Sequence, residues 1–300
     1  MTTSNGLLLL DKPKGLTSHD VVARVRKILD ERRVGHAGTL DPMATGLLVL
    51  GVGPSTRMLR FAQSEVKRYS GSVHLGVATD SLDADGAVVD EQPVPSMSRD
   101  EMNFVVTQML GVQWQVPPMV SAIKVGGQRL HVLARQGVEV EREPREITIS
   151  EFSLRPTDDP ASWDFEVECT VGTYVRVLLS DLARRVGTVG HLSALRRISS
   201  GAHHVEQACT LEQFEMEARA GVSPLRPAAD FVTHLEHSVL GDDDERRMRM
   251  GQQLELAGAF LTCEIAALDS RGVLLGILRR RGERWQPEVV LPVEPNGAQG

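Results

Sequence analysis

The sequence has few cysteines and no long apolar run. Its three cysteines, Cys169, Cys209 and Cys263, lie far apart among 300 residues and form no C-x-x-C pair, so neither a disulfide framework nor a zinc site is indicated. No apolar run approaches the roughly 20 residues that span a membrane. The start of the chain lacks the basic segment and small-residue cleavage site of a signal peptide. We therefore expect a cytosolic protein without a membrane anchor.

The acidic charge of the chain is unevenly distributed. The net charge is −7, yet residues 1–70 carry 11 Lys and Arg against 6 Asp and Glu, and residues 171–201 carry 5 against 1. The excess of acid lies in 71–120, 151–170 and 202–300. If the two basic segments meet in the fold, they form a positively charged groove for nucleic acid. The alternative is an ordinary solvated charged surface.

Periodic apolar patterns predict a mixture of strands and helices. Strands are predicted at residues 7–10, 47–52, 69–77, 163–171, 261–268 and 273–278, the last two as a hairpin. Helices are predicted after the capping boxes Thr17/Asp20, Ser98/Glu101 and Thr210/Gln213, and over residues 175–186. Because the order is not a strict strand–helix alternation, we expect an α+β fold with a mixed, largely antiparallel sheet and flanking helices.

Breaker residues predict a domain boundary near residue 225. The stretch from Gly221 to Pro227 contains one glycine and two prolines. We expect a larger domain over residues 1–225, a small β-rich domain over 229–294, and a frayed tail over 295–300. Residues 121–145 contain a glycine pair and a short helical stretch at 130–136, and are predicted to form a loop-rich excursion from the core.

The most informative segment is the loop from Gly35 to Gly46, which reads GHAGTLDPMATG. Its glycines permit positive φ angles and the close approach of another molecule. Pro42 stiffens the chain directly after Asp41. A loop of this kind holds a carboxylate in a fixed pose. The alternative is a tight structural turn in which Asp41 bonds its own backbone.

Five motifs together resemble those of the bacterial TruB family of tRNA pseudouridine synthases. They occur in the family's order, and the likeness spans roughly residues 6–215 and continues more weakly beyond. The motifs are LLLDKPKG from Leu8, GHAGTLDPMATG from Gly35, KRY from Lys67, GTYVR from Gly172 and LRR from Leu195.

The resemblance implies that Asp41 is the catalytic carboxylate in the conversion of uridine 55 of the tRNA T-loop to pseudouridine. Asp41 either attacks C1′ of the target nucleotide or removes a proton from C2′, and the sequence does not decide between the two. Either route breaks the N-glycosidic bond and lets the uracil rejoin through C5. Such an isomerisation needs no redox cofactor, nucleotide or metal, and the sequence has no P-loop, dinucleotide fingerprint or zinc cluster.

The resemblance also implies roles for four residues around Asp41. Tyr69 stacks on the flipped uracil, since an aromatic face suits an extruded base. Arg176 pairs with Asp41 and holds it ionised and oriented. An arginine at a helix start opposes the helix dipole, which favours such a specific partner. Tyr174 lines the pocket and Leu195 closes it over the base.

Further expectations from the resemblance concern RNA binding. His36 enters the space left by the flipped nucleotide, since the lost stacking must be replaced. Lys12 and Lys14 contact phosphate or support the loop. Residues 121–145 form an insertion that closes over the tRNA. Residues 229–294 form a PUA-like domain, whose acidic charge leaves RNA binding and a structural role both open.

The expected partner is the T-loop and T-stem of tRNA, bound by a monomer with no obligate protein partner. The 121–145 insertion favours such a stand-alone enzyme over a guide-dependent synthase subunit. Two other classes stay open. One is a non-catalytic protein that binds or folds RNA on the same scaffold. The other is a metal-independent hydrolase that uses Asp41 with His36.

Overall fold

The computed structural model describes residues 4–62, 66–121 and 140–292, together with parts of 124–138. Contacts between residues divide the chain into two units. The first unit comprises Met1–Leu40, Leu47–Gln63 and Ala202–Gly300. The second unit comprises Asp41–Gly46 and Ser64–Gly201. The predicted domain boundary near residue 225 stays a prediction.

The described residues form short helices and many strands. The strands are β1 (Gly6–Lys12), β2 (Val34–His36), β3 (Thr45–Val52), β4 (Val66–Leu75), β5 (Val77–Thr79), β6 (Val88–Glu91), β7 (Gly111–Gln115), β8 (Lys124–Val125), β9 (Gln128–Arg129), β10 (Arg145–Pro156), β11 (Ser162–Thr170), β12 (Gly190–Ser200), β13 (His203–His204), β14 (Cys209–Thr210), β15 (His237–Val239), β16 (Glu264–Leu268), β17 (Leu274–Arg281) and β18 (Arg284–Val290). The α-helices are α1 (Ser18–Leu29), α2 (Arg99–Thr107), α3 (Val175–Arg185), α4 (Leu211–Arg219) and α5 (Asp242–Arg249).

The three predicted capping boxes are present at the starts of α1, α2 and α4. In α1 the side chain of Thr17 accepts the backbone N–H of Asp20, and the carboxylate of Asp20 accepts the backbone N–H of Thr17. Ser98 and Glu101 do the same for α2, and Thr210 and Gln213 for α4. Each box satisfies two backbone donors that a helix start leaves without a partner within the helix.

Strand β1 of the first unit is buried on both faces, which explains its unbroken run of leucines. Leu7 and Leu9 pack into a core with apolar residues of the C-terminal strands, including Ile277. Leu8 and Leu10 pack on the other side with α1 and with Phe214 of α4. The C-terminal strands form a four-stranded sheet in the order β15-β16-β17-β18. That sheet therefore shares a core with the N-terminal strand.

The second unit contains an antiparallel sheet in the order β12-β4-β11-β10-β7. At one edge, Thr45 and Gly46 from the start of β3 pair in parallel with Arg196 and Arg197 of β12. Helix α3 packs against β12. Its buried side chains are Val175, Arg176, Leu178, Leu179, Ser180, Leu182 and Ala183.

The architecture is mixed α and β, with strands paired both parallel and antiparallel, as the sequence predicts. Nine residues of the predicted insertion 121–145 lie outside the described residues, among them 131, 132, 134 and 135 of its predicted helix at 130–136, and so does the tail 295–300. Within the described ranges, no helix is long and apolar enough to span a bilayer.

Candidate active site

The loop that carries Asp41 is fixed by the strand that carries the LRR motif. Thr45 and Gly46 pair with Arg196 and Arg197 of β12. Gly46 has φ +98°, and a Cβ at this position would lie 2.3 Å from the carbonyl oxygen of Arg197. Only glycine tolerates both the backbone conformation and the close approach. The glycine at the end of this loop, five residues after Asp41, is thus required by packing.

Asp41 is paired with a buried arginine but stays accessible itself. The Nε of Arg176 lies 3.1 Å from Oδ2 of Asp41. The side chain of Arg176 is 4% exposed, whereas that of Asp41 is 37% exposed. The guanidinium favours the ionised carboxylate, and an ion pair this close also orients it. One edge of the carboxylate is therefore held by the protein while the group remains reachable.

The guanidinium of Arg176 is fixed by three further contacts. Its Nη1 donates to the carbonyl of Ser81 at 2.8 Å and to Oδ2 of Asp83 at 3.2 Å. Its Nη2 donates to the carbonyl of Val120 at 2.9 Å. Because Arg176 is the second residue of α3, its charge opposes the helix dipole, and the two carboxylates compensate for this. The planar fork of donors makes this arrangement specific to arginine.

Asp83 is a functional candidate that no motif in the sequence indicates. It is buried, and its Oδ1 accepts hydrogen bonds from Oγ of Ser81 at 2.6 Å and from the backbone N–H of Asp85 at 3.1 Å. Between them Leu82 adopts φ +65°, which is uncommon for a residue other than glycine. The sequence DADG after a strand is typical of a turn. Nothing in that pattern indicates that the turn delivers a carboxylate to an arginine 93 residues later.

Tyr69 lies on β4 beside the same site. It is buried, and Arg197 stands opposite it on β12. Burial raises the pKa of Tyr69 most, and the carboxylate of Asp41 also raises it, while the charge and a hydrogen bond of Arg197 act in the opposite direction. The phenol is therefore neutral near pH 7 and keeps its proton. The charge of Asp41 therefore acts on the Tyr69 phenol.

Tyr174 is held in place by the amide of Gln115, a second residue that no motif in the sequence indicates. Gln115 is buried at the end of β7. Its Oε1 accepts the backbone N–H of Tyr174 at 2.7 Å, and its Nε2 donates to the carbonyl of Tyr174 at 3.1 Å. Burial raises the pKa of the Tyr174 phenol, partly offset by a hydrogen bond with Ser121. Gln115 thus fixes the residue that precedes α3 and, through it, the position of Arg176.

Leu195 is buried on β12, two residues before Arg197. It pairs with Gly71 as Arg197 pairs with Tyr69, so both β12 side chains project from the same face as Tyr69. Five of the predicted site residues belong to the second unit. These are Asp41, Tyr69, Tyr174, Arg176 and Leu195.

The other three predicted residues belong to the first unit. His36 is half-buried at the end of β2, opposite Leu50. Lys12 is fully buried, and its Nζ donates to the carbonyls of Pro13 at 2.9 Å and Leu16 at 2.7 Å. Of the two roles expected of Lys12, this geometry favours support of the turn. Lys14 is exposed.

Comparison with known proteins places these features in a family. Residues 26–175 match the N-terminal domain of the TruB family pseudouridylate synthases. The tRNA pseudouridine synthase B of Rhodococcus jostii (strain RHA1) is 44% identical over 290 residues, which are 95% of this chain and 93% of that protein. The tRNA pseudouridine synthase B of Thermobifida fusca (strain YX) is 40% identical over 294 residues, 96% of this chain and 98% of that protein.

Solved structures with a similar fold come from larger assemblies. A chain of an H/ACA RNP bound to a substrate RNA containing 2′-deoxyuridine has a TM-score of 0.74 and 21% identity, over 96% of this chain and 86% of that chain. A chain of a Cbf5-Nop10-Gar1 complex has a TM-score of 0.73 and 23% identity, over 97% of this chain and 84% of that chain. At this identity the likeness concerns the fold alone.

Proposed function

The chain belongs to the TruB family of pseudouridylate synthases, and we propose that it isomerises uridine 55 in the T-loop of tRNA to pseudouridine, with Asp41 as the catalytic carboxylate. The observation that carries this proposal is the ion pair between the accessible Asp41 and the buried Arg176. A carboxylate that acts as nucleophile or base must be ionised and oriented before the substrate arrives, and the guanidinium provides both.

The reacting uridine lies inside a stacked loop, so it is flipped out before Asp41 reaches its ribose. In the proposed site the uracil stacks on the ring of Tyr69, which is largely buried, and Tyr174 and Leu195 line the rest of the pocket. Asp41 then attacks C1′ or removes the C2′ proton, the N-glycosidic bond breaks, and the uracil turns and rejoins through C5. Arg176 keeps Asp41 in the ionised form that either route requires.

Recognition of the substrate is proposed to depend on the shape of the T-loop and T-stem, since folded RNA is read mainly through shape and flipped bases. His36 fills the space left by the flipped nucleotide, and the exposed Lys14 contacts phosphate. The insertion 121–145 closes over the tRNA, and the PUA-like region 229–294 contributes RNA contacts or structural support.

The assembly proposed for this chain is a monomer that acts on tRNA in the cytosol without an obligate protein partner. The structurally similar Cbf5 is seen with Nop10 and Gar1. A monomer is supported by the expected insertion at 121–145, which supplies RNA contacts from the chain itself. Sedimentation of the chain alone and with one equivalent of tRNA tests this, with a 1:1 complex as the expected species.

Product analysis tests the proposed function. The chain is incubated with an unmodified tRNA transcript, the RNA is digested to nucleosides, and pseudouridine is quantified by chromatography. We expect one pseudouridine per tRNA and none in a transcript with cytidine at position 55. A protein that binds and folds the transcript but yields no pseudouridine would instead fit the non-catalytic alternative. That alternative does not explain why Asp41 is both accessible and paired with Arg176.

A further inference from the structure

A buried serine at the start of α1 holds the backbone of the residue that precedes Asp41. Ser18 is 2% exposed and is the first residue of α1. Its Oγ accepts the backbone N–H of Leu40 at 2.8 Å and donates to the carbonyl of Leu40 at 3.1 Å. One hydroxyl therefore satisfies both polar backbone groups of a residue 22 positions further along the chain.

These two hydrogen bonds fix the backbone of Leu40 in the loop. Leu40 is buried and lies between β2 and β3, outside any helix or strand. Among the residues that the structure describes, no other group accepts its N–H or donates to its carbonyl. A buried backbone group that loses its hydrogen-bond partner is costly for the fold. The loop therefore keeps Leu40 against Ser18.

Ser18 is itself held in place by the segment that surrounds it. The capping box of Thr17 and Asp20 fixes the first turn of α1. In the turn before this helix, the ammonium of Lys12 donates to two backbone carbonyls. Only one side-chain torsion separates the backbone of a serine from its Oγ. A serine on a fixed backbone is therefore a rigid anchor for the group that it binds.

The backbone on both sides of Asp41 is thereby fixed. On one side, the Cα of Asp41 is joined to that of Leu40 through a trans peptide bond, at a distance of about 3.8 Å. On the other side, the carbonyl of Asp41 accepts the backbone N–H of Ala44 at 3.1 Å, which closes a turn. Arg176 then orients the carboxylate at the end of the side chain. The backbone contacts and the guanidinium thus fix different parts of Asp41.

We propose that Ser18 is a positioning residue for the reaction, an assignment that rests on the function proposed above. The guanidinium of Arg176 orients the carboxylate, and the contact of Ser18 with Leu40 sets the place of the Asp41 backbone. Because a displacement of about 1 Å at a reacting group costs on the order of 100-fold in rate, a looser Leu40 backbone slows cleavage of the N-glycosidic bond. Since Ser18 is buried, it acts through Leu40 and not through contact with RNA.

Two substitutions at position 18 and one at position 55 test this assignment. Ser18→Ala deletes both hydrogen bonds to Leu40, and Ser18→Cys keeps the shape of the side chain but offers a thiol, which is a weak donor and acceptor. Ser55→Ala is the matched control, because Ser55 is a fully buried serine of the same unit whose Oγ donates to Oδ1 of Asn5 at 2.7 Å. Single-turnover pseudouridine formation, RNA affinity and the urea midpoint of unfolding are measured for each variant.

The expected results separate placement of Asp41 from a general loosening of the fold. We expect Ser18→Ala to form pseudouridine about 10- to 100-fold more slowly than the wild type, with RNA affinity unchanged. The rate constant of Ser18→Cys should lie between these two. Both alanine variants should lower the urea midpoint, because each loses buried hydrogen bonding. Ser55→Ala should nevertheless keep its rate constant within about twofold of the wild type.

Failure of this assignment differs from failure of the proposed function. If the wild type forms no pseudouridine, the proposed function is wrong and the role of Ser18 falls with it. If the wild type is active and Ser18→Ala reacts as fast, or is slowed only as much as Ser55→Ala, the role of Ser18 is overturned. A loss of RNA affinity in Ser18→Ala with an unchanged single-turnover rate constant overturns it too. If Ser18→Ala does not fold, Ser18→Cys decides: a rate constant equal to that of the wild type overturns the role.

Discussion

Arg176 and Asp41 form an ion pair in which the cation is buried and the anion is accessible. Their closest atoms lie 3.1 Å apart, and the same guanidinium also contacts Asp83 and two backbone carbonyls. The arginine is therefore held by three groups other than Asp41. This asymmetry is what a reactive carboxylate requires, because the group must be oriented without being covered.

Substitution of Arg176 by lysine should slow the reaction while RNA binding persists. A lysine keeps the charge but loses the planar fork that contacts Asp41, Asp83 and the two carbonyls together. Because misorientation of about 1 Å costs on the order of 100-fold, we expect a loss of about that size in the single-turnover rate. A rate within threefold of the wild type, with a normal fold by circular dichroism, would show that orientation by Arg176 is unimportant.

Asp83→Asn tests the carboxylate on the far side of the guanidinium. Asparagine retains an oxygen for Nη1 of Arg176 but not the charge, and a hydrogen bond to a charged group contributes about 1.5–3 kcal/mol. We expect at least a tenfold lower rate constant and unchanged RNA affinity. Asp85→Asn, two residues away and exposed, is the control and should react normally. Equal rate constants for the two variants would show that Asp83 does not contribute to the reaction.

Gln115→Ala should loosen the start of α3. The change deletes two hydrogen bonds to the backbone of Tyr174 and leaves its N–H without that partner. Loss of stability of about 1–3 kcal/mol is expected from chemical denaturation. Gln113→Ala, on the same strand, deletes one bond to the carbonyl of Met109 and should cost less. If the two variants are equally stable, Gln115 does not anchor Tyr174.

The buried Lys67 should make stability depend on pH in the alkaline range. Its folded-state pKa of about 8 lies below the ordinary 10.5, so the unfolded chain binds more protons between these values. The Lys67 contribution to the free energy of unfolding therefore rises with pH across this window, by about 3 kcal/mol in total. Lys67→Met should be more stable than the wild type at pH 7.5, and the difference should shrink toward pH 10.5. Urea denaturation at several pH values measures both; a constant difference would contradict the shift.

Local signals in the sequence predicted local structure well. The capping boxes at Thr17, Ser98 and Thr210 could be predicted because each involves only two residues three positions apart. The strand predicted at 69–77 runs over Val66–Leu75, since alternation marks a strand better than its ends. Helix α5 was not predicted from its run of Asp242 to Glu245. Those acids sit at the positive end of the helix dipole, with arginines in the last turn.

The contacts that build the site could be predicted only in part. The proximity of Arg176 to Asp41 followed from a family resemblance, because no periodicity connects residues 135 positions apart. Asp83 and Gln115 could not be predicted because each contacts a residue far away in sequence, Arg176 of α3 or Tyr174 directly before it. Lys12 resembles a surface lysine in sequence. Its burial depends on carbonyls that only the folded turn presents.

The most direct test of the central claim concerns Asp41 itself. A T-loop RNA tritiated at C5 of the target uracil is incubated with the wild type and with Asp41→Asn, and tritium released to water is counted beside RNA binding. Asparagine is isosteric with aspartate but supplies neither a nucleophilic oxygen nor a base. We expect release by the wild type and none by Asp41→Asn, with similar RNA affinity for both. Tritium release by Asp41→Asn would show that another group carries the reaction.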